Sequence, residues 1–148
     1  MCCSSPCALY FLAIFGYNET SKQSIMSKQE GGIRLESVQL AHHVVNVVSD
    51  KQATDIVLLD IRGLTTIADY FVVCSASTDR QIKAITDALL ETLAKAGVEP
   101  LHSEGIGESG WVLMDYGDVI VHIFTPAERA YYSLERLWSA ATPVLRIQ

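Results

Sequence analysis

Residues 110–138 read GWVLMDYGDVIVHIFTPAERAYYSLERLW, and the pattern in this stretch decides the fold. Trp111–Met114 and Val119–Phe124 are short apolar runs rich in Val, Ile and aromatics, split by Asp115-Tyr116-Gly117-Asp118. Two such runs around a glycine-bearing turn form a β-hairpin, with Gly117 supplying the positive φ. Along its first strand Trp111, Leu113 and Asp115 point one way, and Val112, Met114 and Tyr116 the other. Thr125-Pro126-Ala127-Glu128 then reads as a helix start: Thr125 caps, Pro126 takes the first helical position, and Glu128 closes a capping box. A continuous helix from there puts Ala127, Tyr131, Leu134 and Trp138 on one face.

Upstream, Asp55–Ile61 and Tyr70–Ser75 are continuous apolar runs, the mark of strands covered on both faces. Arg62–Asp69 is too short for a helical crossover, so the two strands are antiparallel. Arg34–Asp50 is a helix with Val38, Ala41, Val45 and Val48 on one face, Leu35 and His42 at its edge, and His43 toward solvent. Thr78–Ala96 is a second helix, with a Thr78–Gln81 capping box and Ile82, Ile85, Leu89, Leu93 and Ala96 buried. It ends at Gly97, and Pro100 prevents its return. A brief strand near Leu101–Glu104 and a loop over 105–110 lead into the hairpin. The order is α-β-β-α-β-β-β-α: a single α/β domain of the two-layer α+β type, with a mixed five-stranded sheet and three helices. Residues 1–33 read as an extension, disordered or upstream of a true start at Met26. Residues 34–142 form the domain and residues 143–148 a tail.

The 148-residue chain carries a net charge of −6 and is 49% hydrophobic and 19% charged, the composition of a globular domain with a core. An acidic chain suits the phosphate backbone poorly, so direct nucleic-acid contact is disfavoured. Cys2, Cys3 and Cys7 crowd the N-terminus, and Cys74 sits in an apolar run as a small buried hydrophobe. There is no disulfide framework and no C-x-x-C pair. Ala8–Phe15 is apolar but too short to span a bilayer; a membrane-surface anchor is the competing reading of that stretch. His42 and His43 diverge on a helix and make a poor chelate. His122 alternates with Ile120 and Phe124 and reads as a core histidine satisfied by a hydrogen bond.

The ordered set Ala68-Asp69-Tyr70-Phe71-Val72-Val73-Cys74, Ser77-Thr78-Asp79-Arg80-Gln81, Ser109-Gly110-Trp111, Asp115-Tyr116-Gly117-Asp118-Val119-Ile120-Val121-His122 and Arg129-x-x-Tyr132-x-Leu134-Glu135-x-Leu137-Trp138 resembles the ribosomal silencing factor family, the Iojap-related proteins. The resemblance covers roughly Val38 to Trp138. It implies a nucleotidyltransferase-like core and a cytoplasmic, non-catalytic repressor of translation without a cofactor. Its implied partner is ribosomal protein uL-fourteen of the large ribosomal subunit, where the bound protein blocks joining of the small subunit.

Aromatics rimmed by acids suit a basic protein partner. The candidate contacts are Trp111, Asp115, Tyr116, Asp118 and Tyr132, with Asp69 and Glu135 in a secondary place. Tyr116 is expected at an exposed turn tip and Tyr132 off the buried helix face. A homodimer of the free chain would use the same apolar surface. The competing class is a nucleotide-handling enzyme on the same core, which needs carboxylates converging on Mg²⁺. Asp115 and Asp118 straddle a turn instead, and no glycine-rich phosphate loop precedes a helix.

Overall fold

The computed structural model describes residues 36–105 and 110–148. Expectations for the extension, for Arg34 and Leu35, and for most of the 105–110 loop lie outside the described residues.

Strand β1 (Thr54–Asp60) pairs antiparallel with β2 (Tyr70–Ser75), and β2 pairs parallel with β5 (Val119–Phe124). β4 (Trp111–Asp115) is antiparallel to β5 and to the short β3 (His102–Glu104). A sixth strand, β6 (Thr142–Ile147), runs antiparallel along β1, giving the order β3-β4-β5-β2-β1-β6. The expected five strands are therefore six, and the residues read as a tail form an edge strand. Pro143 and Arg146 hide it in the sequence, because both are edge-strand residues and neither reads as core. Leu145, opposite Leu58, is its inward anchor.

Every residue of β2 and β5 is buried, so both faces of the sheet centre need a cover. One face lies under α1 (Ser37–Asp50) and α2 (Asp79–Lys95). There Val72, Cys74, Val112, Met114, Val121 and Ile123 meet Leu40, Val44, Ile85, Leu89 and Leu93. The other face carries Phe71, Val73, Leu113, Ile120 and Phe124 beneath Ile61, Ile67, Leu134 and Trp138. The alternation expected for the hairpin holds: Val112, Met114 and Tyr116 on the first face, Trp111 and Leu113 on the second.

α2 starts at Thr78 as expected, with Gln81 N donating to Thr78 Oγ1 at 3.1 Å, but the return bond of the capping box comes from Ser77 N, which donates to Gln81 Oε1 at 3.0 Å. α1 buries a wider stripe than expected: Leu40, Val44 and Val47 join Ala41, Val45 and Val48, with Val38 partly buried at its edge. His43 is half-buried and His42 exposed, the reverse of the expectation. The third helix, α3 (Pro126–Tyr132), ends early at Ser133, whose φ of 46° is left-handed. A single turn, Leu134–Leu137, follows.

The hairpin enters through Gly110, with φ +73°. A Cβ there would lie 2.8 Å from Glu128 Cγ and 3.2 Å from Thr125 Oγ1, the N-cap atom of α3. Gly110→Ala combines backbone strain with pressure on that cap. It should cost about 1–3 kcal/mol in urea unfolding; an unchanged midpoint would mean the junction is looser than described.

Candidate functional site

The expected contact residues fall at two ends of the central strands. In register, Tyr70 faces Val119 at one end of the β2–β5 pair and Ser75 faces Phe124 at the other. Five strand steps separate them, roughly 17 Å.

At the Phe124 end the side chains form an aromatic cluster. Trp111 stacks on Phe124 with centroids 4.8 Å apart and meets Tyr132 at 4.2 Å. Its indole Nε1 donates to His122 Nδ1 at 3.3 Å. His122 is fully buried, with Phe71 edge-on at 5.0 Å, and burial lowers its pKa to about 3. The ring is therefore neutral at physiological pH, and accepting at Nδ1 leaves its proton on Nε2. This is the core histidine expected from the strand alternation.

The break at Ser133 reverses the two tyrosines. Tyr131, expected on the buried face, is 78% exposed, while Tyr132 is half-buried on Trp111. Leu134 and Trp138 of the expected face are buried, and Ala127 is not. No glycine or proline announces the break; the available signal is the pair Arg129 and Glu135, which are hydrogen-bonded across it. Glu135 thus joins Trp111 and Tyr132 at this end.

The other end holds Asp69, Asp115, Tyr116 and Asp118. Two of these are corrections: Tyr116, expected at an exposed tip, and Asp115, expected among the contacts beside it, are both buried. Asp115 is 1% exposed, and its Oδ1 accepts from Gly117 N at 2.7 Å, fixing the turn where φ is +90°. Tyr116 is 7% exposed within the core under α1 and α2, and burial raises the pKa of its phenol. The segment before β3 covers the turn: Leu101 N donates to the Asp115 carbonyl at 2.7 Å. Trp111, at 8% exposure, is likewise mostly covered.

Asp69 and Asp118 are half-buried and adjacent, with the Asp118 carbonyl accepting from Asp69 N at 2.8 Å. They line an open cleft of about 610 Å³ with Glu36, Ser37, Val38, Arg62 and Tyr70. Arg62 binds Asp60 through Nη2 at 2.7 Å and holds that carboxyl below its usual range.

Asp115 is committed to its own turn, so it does not join Asp118 in a Mg²⁺ clamp. Among the described residues no three His, Cys, Asp or Glu side chains are grouped to hold a metal ion. Burial pushes the Cys74 thiol up to about 12, which makes it a poor nucleophile. His102 and Glu104 meet at 2.8 Å on an exposed edge. No described helix is long and apolar enough to cross a membrane.

The family profile described as "Ribosomal silencing factor during starvation" matches residues 34–148. The chain belongs to this family. The match includes β6, so the sixth strand lies inside the family's domain. A relative from Halalkalibacterium halodurans, named ribosomal silencing factor RsfS, is 43% identical over 109 residues, covering 74% of this chain and 91% of that protein. The maize protein Iojap, chloroplastic, is 33% identical over 74% of this chain and 47% of its own length. A crystal structure of a Chromobacterium violaceum protein superposes with a TM-score of 0.69 at 33% identity, covering 77% of this chain and 95% of that one. The shared architecture is the mixed sheet of this family with helices packed on it.

The burial of His122 sets a pH dependence of stability. The folded state resists the proton down to about pH 3, whereas the unfolded chain takes it up near 6.5. The contribution is whole above that unfolded value and is lost as pH falls below it. Between pH 7 and pH 5, urea unfolding should show about 2 kcal/mol of loss that His122→Gln removes. Equal loss in the two proteins would contradict a neutral buried imidazole.

Proposed function

We propose that this chain is a translation repressor that docks on the large ribosomal subunit through ribosomal protein uL-fourteen and occupies the face that the small subunit must approach. Membership of the family supports the ribosomal partner. The observation that carries the docking surface is the Trp111–Tyr132–Tyr131 aromatic edge, whose exposed ring is Tyr131; Glu135, ion-paired with Arg129, follows on the same segment. Rigid aromatics supply contact area at low entropic cost, and carboxylates select a basic partner.

Tyr132 and Glu135 are the primary contacts in this reading, with Tyr131 added and Trp111 as the floor beneath Tyr132. Asp69 and Asp118 are an outlying acidic group. Asp115 and Tyr116 hold the hairpin turn from within and leave the direct contact set. An ordinary interface covers about 800 Å² of each partner, enough to reach both ends of the strands. The mechanism is steric and needs no turnover, only an affinity that competes with the small subunit, in the cytoplasm where both subunits meet. The net charge of −6 keeps direct RNA contact small, so salt should weaken binding less steeply than it weakens an RNA binder.

The test is sedimentation with separated subunits. Stoichiometric protein should move with the large subunit and reduce joined ribosomes, and Tyr132→Ala should weaken binding by about 1–2 kcal/mol. Full joining in the presence of bound protein would sink the steric mechanism. Undiminished binding of folded Tyr132→Ala would move the surface elsewhere.

A further inference from the structure

Arg129 ties its own segment to the paired ends of β1 and β2. Its Nε donates to Glu135 Oε1 at 2.9 Å, and Nη2 donates to the same oxygen. Nη1 donates to the Asp55 carbonyl at 2.6 Å and to Ser75 Oγ at 2.8 Å. Asp55 has a left-handed φ of 49° and lies where the register of β1 on β2 shifts. Ser75 is the last residue of β2. The guanidinium is largely covered, with the Arg129 side chain 11% exposed and that of Glu135 33% exposed.

The Arg129–Glu135 contact has a conformational condition. On an unbroken helix, residues six apart lie about 120° from each other around the axis, and side chains meet at spacings of three and four. The left-handed turn at Ser133 brings these two together. The helical periodicity and the structure thus describe two alternatives with different partners, and the structure holds the broken one. A continuous helix puts Tyr131 on the face of Leu134 and Trp138. The broken form puts Tyr132 on Trp111 and leaves Tyr131 in solvent. A left-handed Ser is disfavoured by local sterics, so the broken form needs an interaction that the continuous form lacks. The Arg129–Glu135 pair is such an interaction, and its anchors on Asp55 and Ser75 fix Arg129 to the sheet.

We propose that Arg129 is a positioning residue: through Glu135 it selects the broken form of residues 126–138, and so sets which tyrosine lies on Trp111 and which faces outward. The consequence for ribosome binding rests on the docking surface proposed above. The consequence for Trp111 does not.

The test reads both. In a Trp138→Phe background Trp111 is the remaining indole, and acrylamide quenching at a temperature well below unfolding reports its cover. Glu135→Gln keeps the side chain's length but loses the charge pair, and should make Trp111 more quenchable. Arg129→Lys should do the same, because one ammonium does not span Glu135, the Asp55 carbonyl and Ser75 Oγ together. Adding Ser133→Gly to Glu135→Gln should restore the shielding, since glycine takes the left-handed conformation without steric cost. A general loss of stability would not be rescued in this way. Large-subunit affinity should fall about tenfold in Arg129→Lys, which leaves the contact residues in place, and recover when Ser133→Gly is added to it.

Unchanged quenching in Glu135→Gln and Arg129→Lys, with only the melting temperature lowered, would overturn the proposal. So would failure of Ser133→Gly to restore shielding. Quenching that follows the prediction while affinity stays constant supports the positioning role and places the ribosomal contact on another surface.

Discussion

The parallel pairing of Tyr70–Ser75 with Val119–Phe124 is the constraint on which the rest of the structure depends. Six residue pairs stand in register, and all twelve residues are buried. Parallel neighbours cannot be joined by a tight turn, so the chain must leave the sheet and return. It does so through α2 and then through β3 and β4, which continue the sheet beyond β5. Burial on both faces requires two cores. α1 and α2 close one; the loop after β1 and the segment from α3 to Trp138 close the other. The proposed docking edge is part of that second cover, so the packing that completes the fold also shapes the surface.

That double use explains the buried polar groups. The hairpin turn is held by Asp115 from within, at 1% exposure, and the cluster beneath α3 is tied by the bond from Trp111 to a neutral His122. Hydrogen bonding keeps the cost of burying Asp115 Oδ1 and His122 Nδ1 low, whereas the buried Tyr116 hydroxyl has no hydrogen-bond partner among the described residues. These two bonds orient the hairpin and the indole on which Tyr132 rests. The chemistry is that of positioning: a desolvated imidazole and a thiol raised to about 12 are poor reagents.

Much of this was legible in the sequence because local and tertiary signals agree. The apolar runs at Asp55–Ile61, Tyr70–Ser75 and Val119–Phe124 read as strands, and Thr78, Thr125 and Pro126 mark helix starts that the structure keeps. The misses have physical causes. β6 carries Pro143 and Arg146, the residues that blunt an exposed edge, and so reads as tail. Tyr116 follows a turn pattern but is buried in the core under α1 and α2, and the turn is tied by Leu101 N to the Asp115 carbonyl, a contact between segments fourteen residues apart. Tyr131 and Tyr132 exchange places because the periodicity of 126–138 supports one helix, while Arg129, Glu135, Asp55 and Ser75 support a broken one. The family resemblance identified the chain from ordered motifs, but exposure of individual side chains is a tertiary property that motifs do not carry.

The central claim is that the α3 edge meets the ribosome. Amide hydrogen exchange of the protein, with and without saturating large subunits, tests it directly. The account predicts slowed exchange across residues 126–138 and the adjoining start of β4, with the outer face of α2 and the β6 edge unchanged. Slowed exchange on α2 or β6, with residues 126–138 exchanging as in the free protein, would contradict it.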